Sequence, residues 1–213
     1  MRVHNLAIKF ANQEKADLGI VSLASLLHDV DDYKIVGKEN SEKFLNAKKI
    51  MKEENIDADV QQKILDIIAN MGFSKYLKGI RPSTLEGKIV SDSDMCDAIG
   101  ANGIVRSIAY SVSEKGSGTI FNKELFPNIE ITSEEYNYSR TTHDTDNAIN
   151  HFFEKLLKLK DIMMTSSGKK EAQKRHRIMV EFLQHFFEEE NCDHKWFDLL
   201  EKFRGDNFES CIS

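Results

Sequence analysis

The chain has 213 residues, 40% of them hydrophobic and 30% charged, with a formal net charge of −6. That length is enough for one medium-sized domain with a real core. The acidic balance excludes a global basic footprint for nucleic acid, and no apolar run is long enough to span a bilayer.

Val3, Leu6, Ala7, Phe10 and Ala11 recur at helical spacing, so residues 2–14 read as an amphipathic helix without the long apolar stretch of a signal peptide. Asp17 can cap a second helix that runs to about Leu27 and is apolar nearly all round, as a central helix would be. His28 then stands where that helix leaves the core, and 31–37 form a loop. Ser41 opens the next periodic stretch, with Phe44, Ala47, Ile50 and Met51 on one face. Asp57 or Asp59 can cap a helix striped by Val60, Ile64, Ile67 and Ile68. A loop rich in Gly, Lys and Arg follows at 73–83. Helical character resumes near Thr84 and runs through Asp97 to Tyr110.

Residues 111–145 lose the apolar period, which reads as a long irregular insertion with short strands near Ile129–Thr132. Further helices are expected from Asp146 to about Leu159, from about Ser167 to Glu190, and around Trp196, Leu199 and Leu200. The expectation is an all-α bundle forming one domain over 1–205, with a loose tail at 206–213. Pro82 and Pro127 are the only prolines, which agrees with helices throughout. Cys96, Cys192 and Cys211 form no CxxC pair and no even-numbered disulfide framework, so a reducing cytoplasm is the expected setting.

The residues with the most chemistry are His28 and Asp29. Neighbours on a regular helix point about 100° apart, so both can face one cation mainly where a helix ends and the chain turns. Carboxylate oxygens suit hard divalent cations, and imidazole widens the choice to Mn, Fe, Co, Ni or Zn. Asp94, in Ser91-Asp-Ser-Asp-Met-Cys-Asp97, is the candidate distal ligand. A dipeptide alone is weak evidence, because His143-Asp144 repeats it in a polar loop.

The longer context is more specific. Ala24-Ser-Leu-Leu-His-Asp-Val-Asp-Asp32 and Leu85-Glu-Gly-Lys-Ile-Val-Ser-Asp-Ser-Asp-Met-Cys-Asp-Ala-Ile-Gly-Ala-Asn-Gly-Ile104 resemble the HD-domain metal-dependent phosphohydrolases, nearest the bacterial YedJ/YpgQ-type subfamily. Asn150-His-Phe-Phe-Glu-Lys-Leu-Leu-Lys-Leu-Lys-Asp161 and the segment around Arg175-His176 extend the likeness over nearly the whole chain. The resemblance implies an HD-domain helical bundle. It also implies that His28, Asp29 and Asp94 hold a divalent metal ion (Mn, Mg, Fe, Co, Ni or Zn), with Asp92 and Asp97 either supporting that site or lying on the helix surface.

The family's first metal histidine precedes an Arg-Val pair matched here by Arg2-Val3. It would fall upstream of Met1, so the first helix reads as truncated. His4 lies about five positions further on, a net rotation of roughly 140°, onto another helix face.

Asp32 and Glu86 are candidates for proton transfer, with helix capping or loop ion pairing as the alternative. Arg106, His151, Lys155 and Arg175 are candidate phosphate-binding groups, with solvated or structurally paired cations as the alternative. His151 and Lys155 are spaced to share a helix face. The resemblance implies a phosphohydrolase acting on a nucleotide or related phosphate ester, with nucleoside triphosphate pyrophosphohydrolysis as one outcome. The competing expectation is a catalytically impaired HD-fold protein that binds a ligand or partner. The expected partner is a phosphorylated small molecule rather than nucleic acid or a membrane, and a homodimer is compatible with the sequence.

Overall fold

In a computed structural model the described residues are 1–130 and 147–205, and every regular element among them is helical. The fold class expected from the sequence is the one observed. The contacts gather into two compact units: Met1–Met95 with Met164–Gly168, and Cys96–Met163 with Lys169–Ser213.

The first unit begins with α1 (Arg2–Glu14), which buries Leu6, Ala7, Phe10 and Ala11, the stripe its spacing dictates. In α2 (Leu18–Leu27) the Asp17 carboxylate accepts the N–H groups of Gly19 and Ile20 at 2.8 and 3.1 Å, satisfying two donors that a helix start leaves open. Helix α2 packs on α1 and on α6 (Ala58–Ala69). It is not enclosed all round, because Leu18 and Leu26 remain exposed.

The stretch beginning at Ser41 differs from expectation. It divides into α4 (Lys38–Ser41), which follows the short α3 (Tyr33–Val36), and α5 (Leu45–Glu53). Phe44 between them takes a left-handed conformation, φ 50°, and supplies no side-chain cap. The cap comes instead from Asp31, whose oxygens accept the N–H groups of Asn46 and Ala47 at 3.0 and 2.8 Å. A long-range carboxylate thus sets the start of this helix. A short α7 (Phe73–Leu77) then leads to α8 (Leu85–Asp97).

The continuous helix expected from Thr84 to Tyr110 is broken. Helix α8 stops at Asp97, and α9 (Gly100–Ser111) starts after a bend at Ile99. Gly100 has φ +78°, and a Cβ there would stand 2.9 Å from Cβ of Arg175, so backbone and packing both favour glycine. Arg106 therefore does not continue the helix of Asp94.

The second unit continues with α10 (Ala148–Glu154) and a 3₁₀ helix (Leu156–Ile162), where the sequence suggested a single helix to Leu159. Lys155 leaves the helical region at φ −137°, so it does not continue the helix face of His151. Helix α11 (Ser166–Glu189), whose first residues through Gly168 belong to the first unit, and α12 (His194–Arg204) follow.

The described part of the 111–145 segment is irregular, as expected, yet it is anchored. Phe121 and Phe126 lie 5.1 and 4.4 Å from the Trp196 ring, and Trp196 Nε1–H donates to Lys123 O at 3.3 Å. Ile129 and Glu130 form a turn, not a strand, and the remainder of that segment, with the tail at 206–213, lies outside the described residues. Phe152, Phe153 and Phe187 are fully buried as core.

Candidate metal centre

Helix α2 ends at His28, and the chain continues through a tight turn in which Val30 N–H donates to Leu27 O and Asp32 N–H to Asp29 O. The turn lets two neighbouring side chains approach each other, which a continuing helix would prevent. His28 Nε2 lies 3.1 Å from Asp29 Oδ2 and 3.7 Å from Asp94 Oδ1. The imidazole is 10% exposed, Asp29 69% and Asp94 37%, so the ring forms the floor and the carboxylates the wetter rim.

The ring's orientation is set from behind. His28 Nδ1 is 2.8 Å from Ser25 O. A carbonyl can only accept, so Nδ1 carries the proton and Nε2 faces the carboxylates. The Ser25 hydroxyl donates to Ser22 O at 2.9 Å and stands 3.0 Å from His4 Nδ1. Buried Ser25 thus links α1 to the His28 ring. Nothing in its local pattern marks it except a position three residues before the histidine.

Burial alone would lower the His28 pKa. The close Asp29 carboxylate, the charges of Asp94 and Asp29 and the Ser25 carbonyl outweigh it and raise the pKa to about 9. Despite the short approach, Nε2 is a buried polar atom with no hydrogen-bond partner. Two atoms each about 2.1 Å from one cation stand about 3.0 Å apart at a right angle and about 3.6 Å apart at 120°. Each of the two separations from Nε2 is near that of a nitrogen and an oxygen on one ion, and the donor types suit a borderline divalent metal. Among the described residues no group of three or more His, Cys, Asp or Glu side chains is already arranged to hold a metal ion. The fit rests on the orphaned nitrogen and its two carboxylate neighbours.

Of the other sequence candidates, Asp32 and Glu86 belong to the first unit. Asp32 is in the same turn as Asp29, and its carbonyl accepts the Ile35 and Val36 N–H groups at the start of α3. Glu86 accepts the Asp17 N–H at 3.2 Å. It therefore sits at the start of α2, about 15 Å of helix away from His28.

In the second unit Arg106 pairs with Asp97 at 2.7 Å. Arg175 pairs with Glu171 at 2.9 Å and donates to Cys96 O at 2.7 Å. His151 and Lys155 stand on either side of the end of α10. Asp97 is nearly buried against Arg106, and Asp92 is fully buried.

An imidazole with two carboxylates beside it, at a His-Asp pair where a helix ends in an all-helical fold, is the arrangement to compare with known proteins. The HD domain family profile matches residues 1–99. The chain is 34% identical over 203 residues to YpgQ of Bacillus subtilis (strain 168), covering 86% of this chain and 78% of that protein. The chain belongs to the HD-domain superfamily and is a homologue of YpgQ.

Solved structures agree. A Lactobacillus plantarum protein superposes with TM-score 0.72 at 36% identity, over 90% of this chain and 85% of its own. A Bacillus thuringiensis HD-superfamily hydrolase gives 0.67 at 33%, over 90% and 84%. Bacillus subtilis YpgQ in complex with ADP gives 0.64 at 26%, over 88% and 82%.

Proposed function

We propose that this protein is a divalent-metal-dependent phosphohydrolase acting on a nucleotide or a related phosphate ester. The observation that carries the reading is His28 Nε2, buried, lacking a hydrogen bond and approached by Asp29 and Asp94. Membership of a hydrolase superfamily and the ADP held by YpgQ support the phosphate chemistry.

His28, Asp29 and Asp94 would hold the ion. Its contribution is to acidify water and to neutralise phosphate charge. The Ser25 carbonyl keeps Nδ1 protonated, so Nε2 is the ring atom left for ligation. Of the two proton-transfer candidates we assign the role to Asp32, because Glu86 is engaged at the opposite end of α2. Arg106, Arg175, His151 and Lys155 remain the proposed phosphate contacts, and a rise in KM on their removal is the corresponding expectation.

The test is turnover of purified protein on a panel of nucleoside mono-, di- and triphosphates with Mn, Mg, Co or Ni, separating orthophosphate from pyrophosphate release. Metal-dependent hydrolysis that disappears in Asp94→Ala is the expected result. Metal or nucleotide binding without turnover would favour a ligand-binding protein instead.

A further inference from the structure

Two buried carboxylates outside the proposed ligand set share a pattern. Asp31 is two residues after Asp29, and Asp92 is two residues before Asp94. Each is spent on backbone N–H groups at the start of a helix distant in sequence. Asp31 receives Asn46 and Ala47 N–H at 3.0 and 2.8 Å, and the Asn46 side chain closes the clamp by donating to Val30 O at 3.2 Å.

Asp92 receives Met164 N–H at 3.0 and 3.1 Å and Thr165 N–H at 2.7 Å, together with the Thr165 hydroxyl at 2.7 Å. That hydroxyl in turn accepts Gly168 N–H at 3.0 Å, in the first turn of α11. The approach depends on glycine, because a Cβ on Gly168 would stand 2.3 Å from Asp92 Oδ2.

The spacing explains why one aspartate can anchor while the other faces the centre. On α8, residues two apart point about 200° from each other, so Asp92 turns to the Met164–Gly168 segment while Asp94 turns to His28. In the turn after α2, Asp31 is buried while Asp29 stays exposed. Each clamp is a carboxylate with several charge-assisted bonds, stiffer than a single neutral bond.

We propose that Asp31 and Asp92 are positioning residues, which hold the Asp29 and Asp94 arms toward His28 by tying their backbones to two helix starts. The inference rests on the metal-centre reading above and extends it to residues that touch neither metal nor substrate. Partners of this kind typically change metal affinity by about 10–100-fold.

The experiment uses Co²⁺ alone, titrated into the full chain and followed by visible absorption well below the melting temperature, with circular dichroism to confirm folding. Asp31→Asn and Asp92→Asn remove one anchoring oxygen each. Gly168→Ala displaces Asp92 without altering any carboxylate. Glu14→Gln is the control, because Glu14, on α1, accepts Ser167 N–H at 2.7 Å at the same helix start yet belongs to neither ligand arm. The expected result is one equivalent of Co²⁺ on the wild type, affinity about 10–100-fold weaker in the three variants with altered absorption, and near-wild-type affinity in Glu14→Gln. Variants that melt earlier but bind Co²⁺ like the wild type would overturn the positioning role and leave the metal centre standing. A wild type that takes up no Co²⁺ would overturn the metal centre and the positioning role together.

Discussion

His28 in the first unit and His176 in the second begin from the same chemistry and end in opposite states. Each is an imidazole held by a carbonyl: His28 Nδ1 by Ser25 O and His176 Nε2 by Phe203 O, both at 2.8 Å. Each leaves its other ring nitrogen buried and without a hydrogen bond. His28 faces Asp29 and Asp94, and its pKa rises to about 9. His176 is 3% exposed, and burial pushes its pKa down to about 4. The Phe203 carbonyl and Asp161 oppose that shift, while Lys160 reinforces it. One orphaned nitrogen faces two carboxylates and is the proposed place of a cation, and the other belongs to a neutral packing histidine of α11 held against the end of α12. Burial of a histidine carries no functional meaning until the charges around it are known.

The contrast is most exposed to failure at the proposed ligands. His28→Ala or Asp94→Ala should reduce metal-dependent turnover by more than about 100-fold, beyond the range seen for outer partners. His176→Asn should leave turnover within a few-fold, and steady-state kinetics on the two sets separates them.

The pH dependence of stability differs in sign between the two histidines. His176 has a folded pKa of about 4 against 6.5 unfolded, so the unfolded chain takes up the proton first. Its share of stability is full above pH 6.5 and is lost as pH falls toward 4, by about 3 kcal/mol. Urea melts of wild type minus His176→Asn should show that loss. In metal-free protein His28 behaves oppositely. Its folded pKa of about 9 lies above 6.5, so its contribution is full below 6.5 and is lost as pH rises through 9. Its size is smaller, because the exposed Asp29 is screened by solvent.

Smaller effects belong to the second unit alone. Gly100→Ala forces a side chain into positive φ and against Arg175, and should cost about 1–3 kcal/mol in thermal or urea melts. Arg106→Gln breaks a pair whose arginine is 57% exposed, so stability should fall by no more than about 1 kcal/mol. A raised KM with unchanged kcat in that variant would show that Arg106 meets substrate as well as Asp97.

The features readable from the chain alone were local ones. Periodicity delimited α1 and α2, and Asp17 marked the α2 cap, because helix faces and caps are set within a few residues. His28 stood at a helix end for the same reason, and the motif around Asp94 pointed to the residue whose carboxylate lies 3.7 Å from the ring. What escaped the chain reading came from partners far apart in sequence. Asp31 starts α5 fifteen residues downstream of itself. Gly100 accommodates Arg175 and separates Arg106 from the helix of Asp94. Phe121 and Phe126 fasten a polar stretch to Trp196. Ser25 meets the His28 ring, and Asp92 the Met164 and Thr165 N–H groups, only through contacts that folding creates. A pattern of residue types can announce a ligand, whereas its charge state and aim depend on burial and on long-range hydrogen bonds, and these exist only once the helices have packed.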